Sequence, residues 1–512
     1  MTINYIINFL FQIFFFSQFS CIKFNLDECN SESIFCREEG KVDVLANEAG
    51  DRITPAIVSI TDEETVVGNA AKTGFISKQA NTITFNNRLM NLSLDENEKR
   101  SLIENNKVKT IEDGGHLAYE LPLDTKKKIY SPQFIESNIY KTLYGIAKRA
   151  THSEDTKCSC VVTVPEFFDD PSRESVRNAA IQAGWNVLQV VNAPSVTPFT
   201  YGINVTEPLN DTYILVYRLG GISCDATVLY VNSGLVSIVA SEHTKAIGGY
   251  KLIETLKAHL IEEVKRKHRS NPSENARASA KLQRATEDAV HLLSTLKTAN
   301  IFIESLTDGI DFAASVSQAR FESLIAHLLT DFALPIEVVL KKANLKTSDI
   351  KKVLLCGGPL KIPKLKHYIG NLFPHADIPN GISPDEVLAY GAAVQASFLA
   401  KYWNTHDDLP EPTTEVHTLN ELIEIDCCGK TLSFDQNEIL PSTKSITTSV
   451  NVDNITLTAT SGNNKSNKSE AHINLKTEGE ITFTLTASVD QLHVEAKNMD
   501  TELKSSAIFV AV

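Results

Sequence analysis

Twice in this sequence a short apolar run stops at a pair of adjacent glycines. "DTYILVYRLGG" ends at Gly220–Gly221 and "VLLCGG" at Gly357–Gly358, while a third pair, Gly248–Gly249, opens a helical pattern. A strand that ends on glycine leaves backbone N–H groups unshielded by a Cβ, so main chain can come close to a phosphate. After the first pair a second apolar run, "ATVLYV", follows, which makes strand, turn and strand. After the second comes "PLKIPKLKHYIGNLF", which makes strand, turn and helix. Such alternation is the signature of an α/β architecture.

The rest of residues 21–403 keeps to that rhythm. "KCSCVVTVP" (157–165) reads as a buried strand. The next segment, "DPSRESVRNAAIQAGW", reads as a helix capped by Asp170, with Pro171 at its first position and Gly184 as its stop. "WNVLQVVNAPSV" returns to strand, and Leu252, Leu256, Leu260 and Val264 mark an amphipathic helix, followed by a polar helical stretch to about Lys297. "GAAVQASFLA" is a small-residue helix suited to close packing.

Residues 404–418 are polar, acidic and contain two prolines, the texture of a linker. From 419 to 512 the period changes to two, in "SVNVDNITLTAT" and "EITFTLTASVDQLHVEA", with a turn at Asp453–Asn454 and a polar loop in "SGNNKSNKSE". This predicts a small antiparallel β domain with no sustained helix after it. Gly429–Lys430–Thr431 resembles the end of a phosphate loop, but residue 424 is Glu, so the spacing fails and a hairpin is expected.

The 512 residues, 42% hydrophobic and 22% charged, suit an ordinary globular protein of several domains. A net charge of −14 argues against direct nucleic-acid binding, which needs a concentrated basic surface. The nine cysteines form no CxxC pair, and several lie in apolar runs, so buried reduced thiols of a cytoplasmic protein are expected. Residues 1–20 are strongly apolar but carry no Lys or Arg, unlike the charged start of a signal peptide. They leave two readings open, a targeting segment or a mis-assigned start. Six Asn-x-Ser/Thr triplets, at Asn91, Asn204, Asn210, Asn454, Asn464 and Asn467, would suit the secretory or membrane-tethered alternative.

Taken in order, ANEAGDRITPAIVSI (46–60), GNAAKTG (68–74), VTVPEFFDD (162–170), GWNVLQVVNAPSVTPFTYGI (184–203), LGGISCD (219–225), IGGYKL (247–252), CGGPLKIPKLK (356–366) and SPDEVLAYGAAVQA (383–396) carry a resemblance. Over about residues 22–402 the chain resembles the DnaK-type chaperones of the heat-shock 70 kDa family, especially the divergent Ssz-type members of ribosome-associated complexes. The resemblance implies an actin and sugar-kinase-like, two-lobed nucleotide-binding domain. It also implies a shortened β substrate domain, with neither a helical lid nor an EEVD-like tail.

The same resemblance lets the site be read residue by residue. In "IKFNLDECNS" Asn25 stands for the family's aspartate, Asp27 for a turn glycine, and Glu28 and Cys29 for two threonines. In "NAPSV" Ala193 stands for the catalytic glutamate, and in "YRLGGISCD" Arg218 stands for the magnesium-orienting aspartate and Ile222 for a third glycine. Three carboxylates are lost and a guanidinium gained, which disfavours magnesium and ATP hydrolysis. Lys72, Gly220, Gly221, Ser223 and Asp225 match, as do Gly248 and Gly249. On the adenosine side Glu287, Ser294, Gly357, Gly358 and Lys361 match, while Val290 and His291 replace basic residues. ATP binding through that half is the expectation. For Arg218 two readings stand: an ion pair with a carboxylate such as Asp225, or direct contact with phosphate in place of the metal.

The function this implies is a non-catalytic or barely catalytic chaperone scaffold in the cytoplasm. It would act with a zuotin-like J-domain protein on nascent polypeptides at the ribosome, the partner making most of the ribosome contact. The competing expectation is an active, ATP-dependent foldase.

Overall fold

The computed structural model describes residues 21–509 apart from short stretches, the longest of them 26–31, 152–157, 406–421 and 435–441. The apolar start and all of the expected linker beyond Thr405 lie outside the described residues. The chain divides into two compact units, residues 1–234 with 240–410, and residues 235–239 with 411–512.

Among several sheets in the first unit, two frame the site. One has the order β1 (Cys21–Asn25), β2 (Ser159–Val164), β3 (Asn186–Asn192), all parallel. Val161, Val162 and Val164 are fully buried, as a parallel strand covered on both faces requires. The other runs β6 (Leu235–Thr244, of which residues 240–244 fall in this unit), β5 (Cys224–Asn232), β4 (Thr212–Leu219), β9 (Ile350–Cys356). Within it β4 pairs antiparallel with β5 and parallel with β9, aligning Arg218 with both Asp225 and Cys356.

The helices of this unit include α1 (Asn69–Gly74), α2 (Pro132–Thr151), α3 (Asp170–Gln182), α4 (Ala193–Thr200), α5 (Gly249–His268), α6 (Ala276–Leu293), α7 (Leu329–Lys342), α8 (Pro363–Leu372) and α9 (Val387–Thr405); α3, α4 and α9 pack on the first sheet and α7 on the second. The hairpin of β7 (Thr298–Thr307) and β8 (Ile310–Ser317) follows α6. In α5 the four expected core positions, Leu252, Leu256, Leu260 and Val264, are all buried. Three local expectations need correction. The cap of α3 is Asp169, not Asp170: it is extended and its Oδ1 accepts from Ser172 N at 3.0 Å. The helical stretch to Lys297 is broken, because Arg269 turns left-handed at φ 54° and Pro272 follows. And α9 runs two residues past the expected domain end at 403.

The chain passes between the sheets twice. It leaves β3 through α4 to reach β4, and returns after β9 through α9, which packs on β1 and β2. These helices touch backbone to backbone: a Cβ at Gly391 would lie 2.1 Å from the Val196 carbonyl oxygen. Ala392, Ala393 and Ala396 are fully buried around that crossing.

The second unit contains two four-stranded antiparallel sheets. One is ordered β11 (Lys430–Phe434), β10 (Ile423–Cys427), β13 (Asn454–Ser461), β14 (Asn467–Asn474). The other is β12 (Ser442–Val450), β15 (Gly479–Ala487), β16 (Leu492–Asn498), β17 (Lys504–Phe509). Alternate residues of both sheets form one core, with Ile425, Phe434, Leu457, Phe483 and Val494 fully buried. The expected loop is shorter than read, since β14 already begins at Asn467. Asp453 lies outside the described residues. Cys428 at φ 56° and Gly429 at φ 85° form the tight turn of the β10–β11 hairpin. Cys158, Cys160, Cys224, Cys356 and Cys427 are buried thiols outside any disulfide, as expected, whereas Cys428 is exposed at that turn.

Candidate functional site

Because β4 and β5 are in register, Arg218 and Asp225 project from the same face of the sheet. Arg218 Nε donates to Asp225 Oδ2 at 2.5 Å and Nη2 donates to Ser223 Oγ at 3.2 Å. Nη2 also contacts the Asp225 carboxylate, and Arg218 is buried. Of the two readings of Arg218, the ion pair is the arrangement seen. The other oxygen of Asp225 is taken by His243 Nδ1. Burial alone would raise the Asp225 carboxyl, but the Arg218 guanidinium and then His243 outweigh it and hold it below the usual range.

His243 comes from β6, and its ring lies against Phe167 with centroids 4.1 Å apart at 37°. Its Nε2 is buried without a hydrogen-bond partner. Glu166, Phe167, Ala193, Arg218, Asp225 and His243 line one cavity between the two sheets. Ala193, the first residue of α4, offers it only a methyl group where the sequence comparison expected a carboxylate to be lost. Asn25 ends β1 beside Thr163, while Asp27, Glu28 and Cys29 lie outside the described residues.

The glycine turns stack on one another. Gly220 N donates to Ser223 O at 2.9 Å, Gly249 N to Gly220 O at 2.8 Å and Tyr250 N to Gly221 O at 2.6 Å. A Cβ at Gly248 would lie 2.5 Å from Gly221 O, and one at Gly249 would lie 2.6 Å from the Pro359 ring. Gly357 has φ 102°, and a Cβ there would lie 2.0 Å from Leu219 O. These three are therefore required by the packing of the turns themselves. Gly358 differs, because a Cβ there meets nothing within 4 Å.

On the adenosine side Lys361 Nζ lies 2.5 Å from Asp385 Oδ2, whose other oxygen accepts from Ser383 Oγ at 2.5 Å. Glu287 Oε1 accepts from Gln283 Nε2 at 3.2 Å, and the Ser294 hydroxyl donates to His291 O at 2.6 Å. His291 is exposed and Val290 buried. Lys72 Nζ, from α1, stands 4.0 Å from Asp288 Oδ1 on α6. Sequence reasoning did not single out His243, Phe167, Asp288 or Asp385. No sequence signal marks His243, because its partner Asp225 lies on the neighbouring strand β5 and only the folded sheet brings the two together.

Two lobes of sheet and helix, joined by the crossings of α4 and α9 and with the glycine turns stacked in one of them, define the two-lobed fold of actin-like nucleotide-binding domains, followed in sequence by a β unit. The "Hsp70 protein" family model matches residues 26–484. The chain belongs to the Hsp70 family. It is 38% identical over 409 residues to heat shock 70 kDa protein 14 of Danio rerio, covering 80% of this chain and 78% of the relative. Against heat shock 70 kDa protein 14-A of Xenopus laevis it is 37% identical over 387 residues, 76% of each. The Bos taurus heat shock 70 kDa protein 14 is 38% identical over 371 residues, 72% of each.

Proposed function

We propose that this Hsp70-family chaperone is a scaffold that holds ATP by its adenosine side and hydrolyses it little or not at all. One observation carries the reading: Asp225, the carboxylate retained beside the turn, is already engaged by Arg218 and His243. A hard divalent cation needs oxygen ligands free of competing cations. The residues present therefore do not fit magnesium. Ala193 and Asn25 supply no carboxylate to replace the engaged one. Nucleotide fits better, with Glu287, Ser294, Gly357, Gly358 and Lys361 holding the adenosine and Lys72 near the phosphates.

The scaffold acts in the cytoplasm with a zuotin-like J-domain protein, on nascent polypeptides at the ribosome. A net charge of −14 suits a chain that leaves ribosomal RNA to its partner. Purification of the tagged chain from cytosol is expected to bring down a J-domain protein and ribosomes; recovery of neither overturns the partnership. Single-turnover ATP hydrolysis at the rate usual for the family would instead establish the active foldase.

A further inference from the structure

We infer that His243 is a proton-linked phosphate contact: its Nε2 takes up a proton as the polyphosphate end of a nucleotide enters the cavity beside Arg218. This rests on the nucleotide-binding reading above and specifies how that site is regulated.

The geometry makes the argument. Asp225 accepts from His243 Nδ1, which fixes the tautomer and leaves Nε2 as a bare acceptor. The Phe167 ring at 4.1 Å fixes the plane of the imidazole, so the direction of Nε2 is set before any ligand arrives. That nitrogen is buried with no hydrogen-bond partner, an arrangement that costs free energy unless something occupies it. An ionised phosphate oxygen has no proton to donate to a bare Nε2, but it accepts from a protonated one.

Charge leads to the same conclusion. The charged or titratable groups around His243 in the cavity are Arg218, Asp225 and Glu166. Arg218 and Asp225 cancel, and Glu166 is exposed and adds only negative charge. Next along β6, Glu242 is paired with Lys342 of α7 at 2.6 Å. With His243 neutral the cluster therefore offers a phosphate no net positive charge. Protonation supplies both the charge and the missing donor. The proton comes from solvent, no covalent bond changes, and its release accompanies release of the ligand.

Calorimetry of ATP binding in EDTA, in two buffers of different ionisation enthalpy, tests this on the unmodified chain. Net uptake approaching one proton is expected, with affinity rising by up to about tenfold per pH unit between pH 8 and pH 6, since binding and protonation are reciprocally linked. Adenosine, which has no phosphate, should bind equally at both. His243→Gln should flatten the ATP profile to the part contributed by the phosphate's own protonation. A profile as steep in His243→Gln as in the parent, or no excess proton uptake, overturns the inference. Adenosine binding combined with a flat ATP profile overturns it while leaving nucleotide binding standing. Failure of both ligands to bind overturns nucleotide binding as well.

Discussion

Arg218 and Asp225 are directly opposed across the β4–β5 hairpin, so the strand register itself delivers a buried guanidinium to a partly buried carboxylate. The counter-charge of the Asp225 carboxylate is thus supplied by the chain itself.

Arg218→Ala leaves the partly buried Asp225 with His243 alone beside it, and is expected to cost up to about 3 kcal/mol, the lower end for breaking a fully buried pair. The acid limb should also move. The depressed Asp225 carboxyl contributes stability above its unfolded value near 3.8 and loses it as pH falls through the folded value. Without Arg218 that loss begins at higher pH. Calorimetric melts from pH 3 to pH 7 test both effects; an unchanged melting point at neutral pH would contradict the first.

Gly357 and Gly358 should separate fold from ligand. Gly357→Ala forces a Cβ onto the Leu219 carbonyl at positive φ and is expected to cost at least about 2 kcal/mol. Gly358→Ala enters open space, so its melting should change by less than about 0.5 kcal/mol while nucleotide affinity falls. Parallel melts and ATP titrations of the two variants make the comparison.

Glu136, on α2, is fully buried and receives a hydrogen bond from Asn86 Nδ2 at 2.8 Å. Burial raises its carboxyl from 4.5 to about 7, against the lowering effects of Asn86 and Tyr140. The folded state therefore binds the proton more tightly than the unfolded state. Its contribution is complete below pH 4.5 and is lost as pH rises to about 7, a change of about 3 kcal/mol. Glu136→Gln should remove that slope and raise the melting point at pH 8. A parent chain whose stability shows no extra decline across this window relative to the variant would refute the assignment.

Asp288→Asn removes the partner of Lys72 in an exposed pair. Stability should change by less than about 1 kcal/mol, whereas ATP affinity should rise a few-fold because Lys72 is released toward the phosphates. Isothermal titration of both proteins in EDTA decides; equal affinities would show that the pair does not compete with phosphate.

Alternation, glycine pairs and the core positions of α5 were legible in the sequence because each is a local pattern. Arg218 was legible as an anomaly, and its ion pair was one of two open readings until the β4–β5 register became visible. His243 and Asp288 were not legible, since each meets its partner through a sheet or helix neighbour far along the chain. The error at the α3 cap is local too: two adjacent aspartates offer the same chemistry, and only backbone conformation distinguishes the residue that caps from the one already in the helix.

The contact of Gly391 with the Val196 carbonyl has a mechanical consequence. Two helices touching through bare backbone form a bearing: sliding drives main chain into main chain, but a small swing changes the contact little. Opening of the two sheets relative to each other is then a hinge motion about this crossing. Ala193 and Leu388, each three residues from the crossing, line the cavity, which therefore sits close to the axle. In any such swing displacement grows with distance from the crossing, so the end of the cavity formed by Ala193 and Leu388 is displaced least.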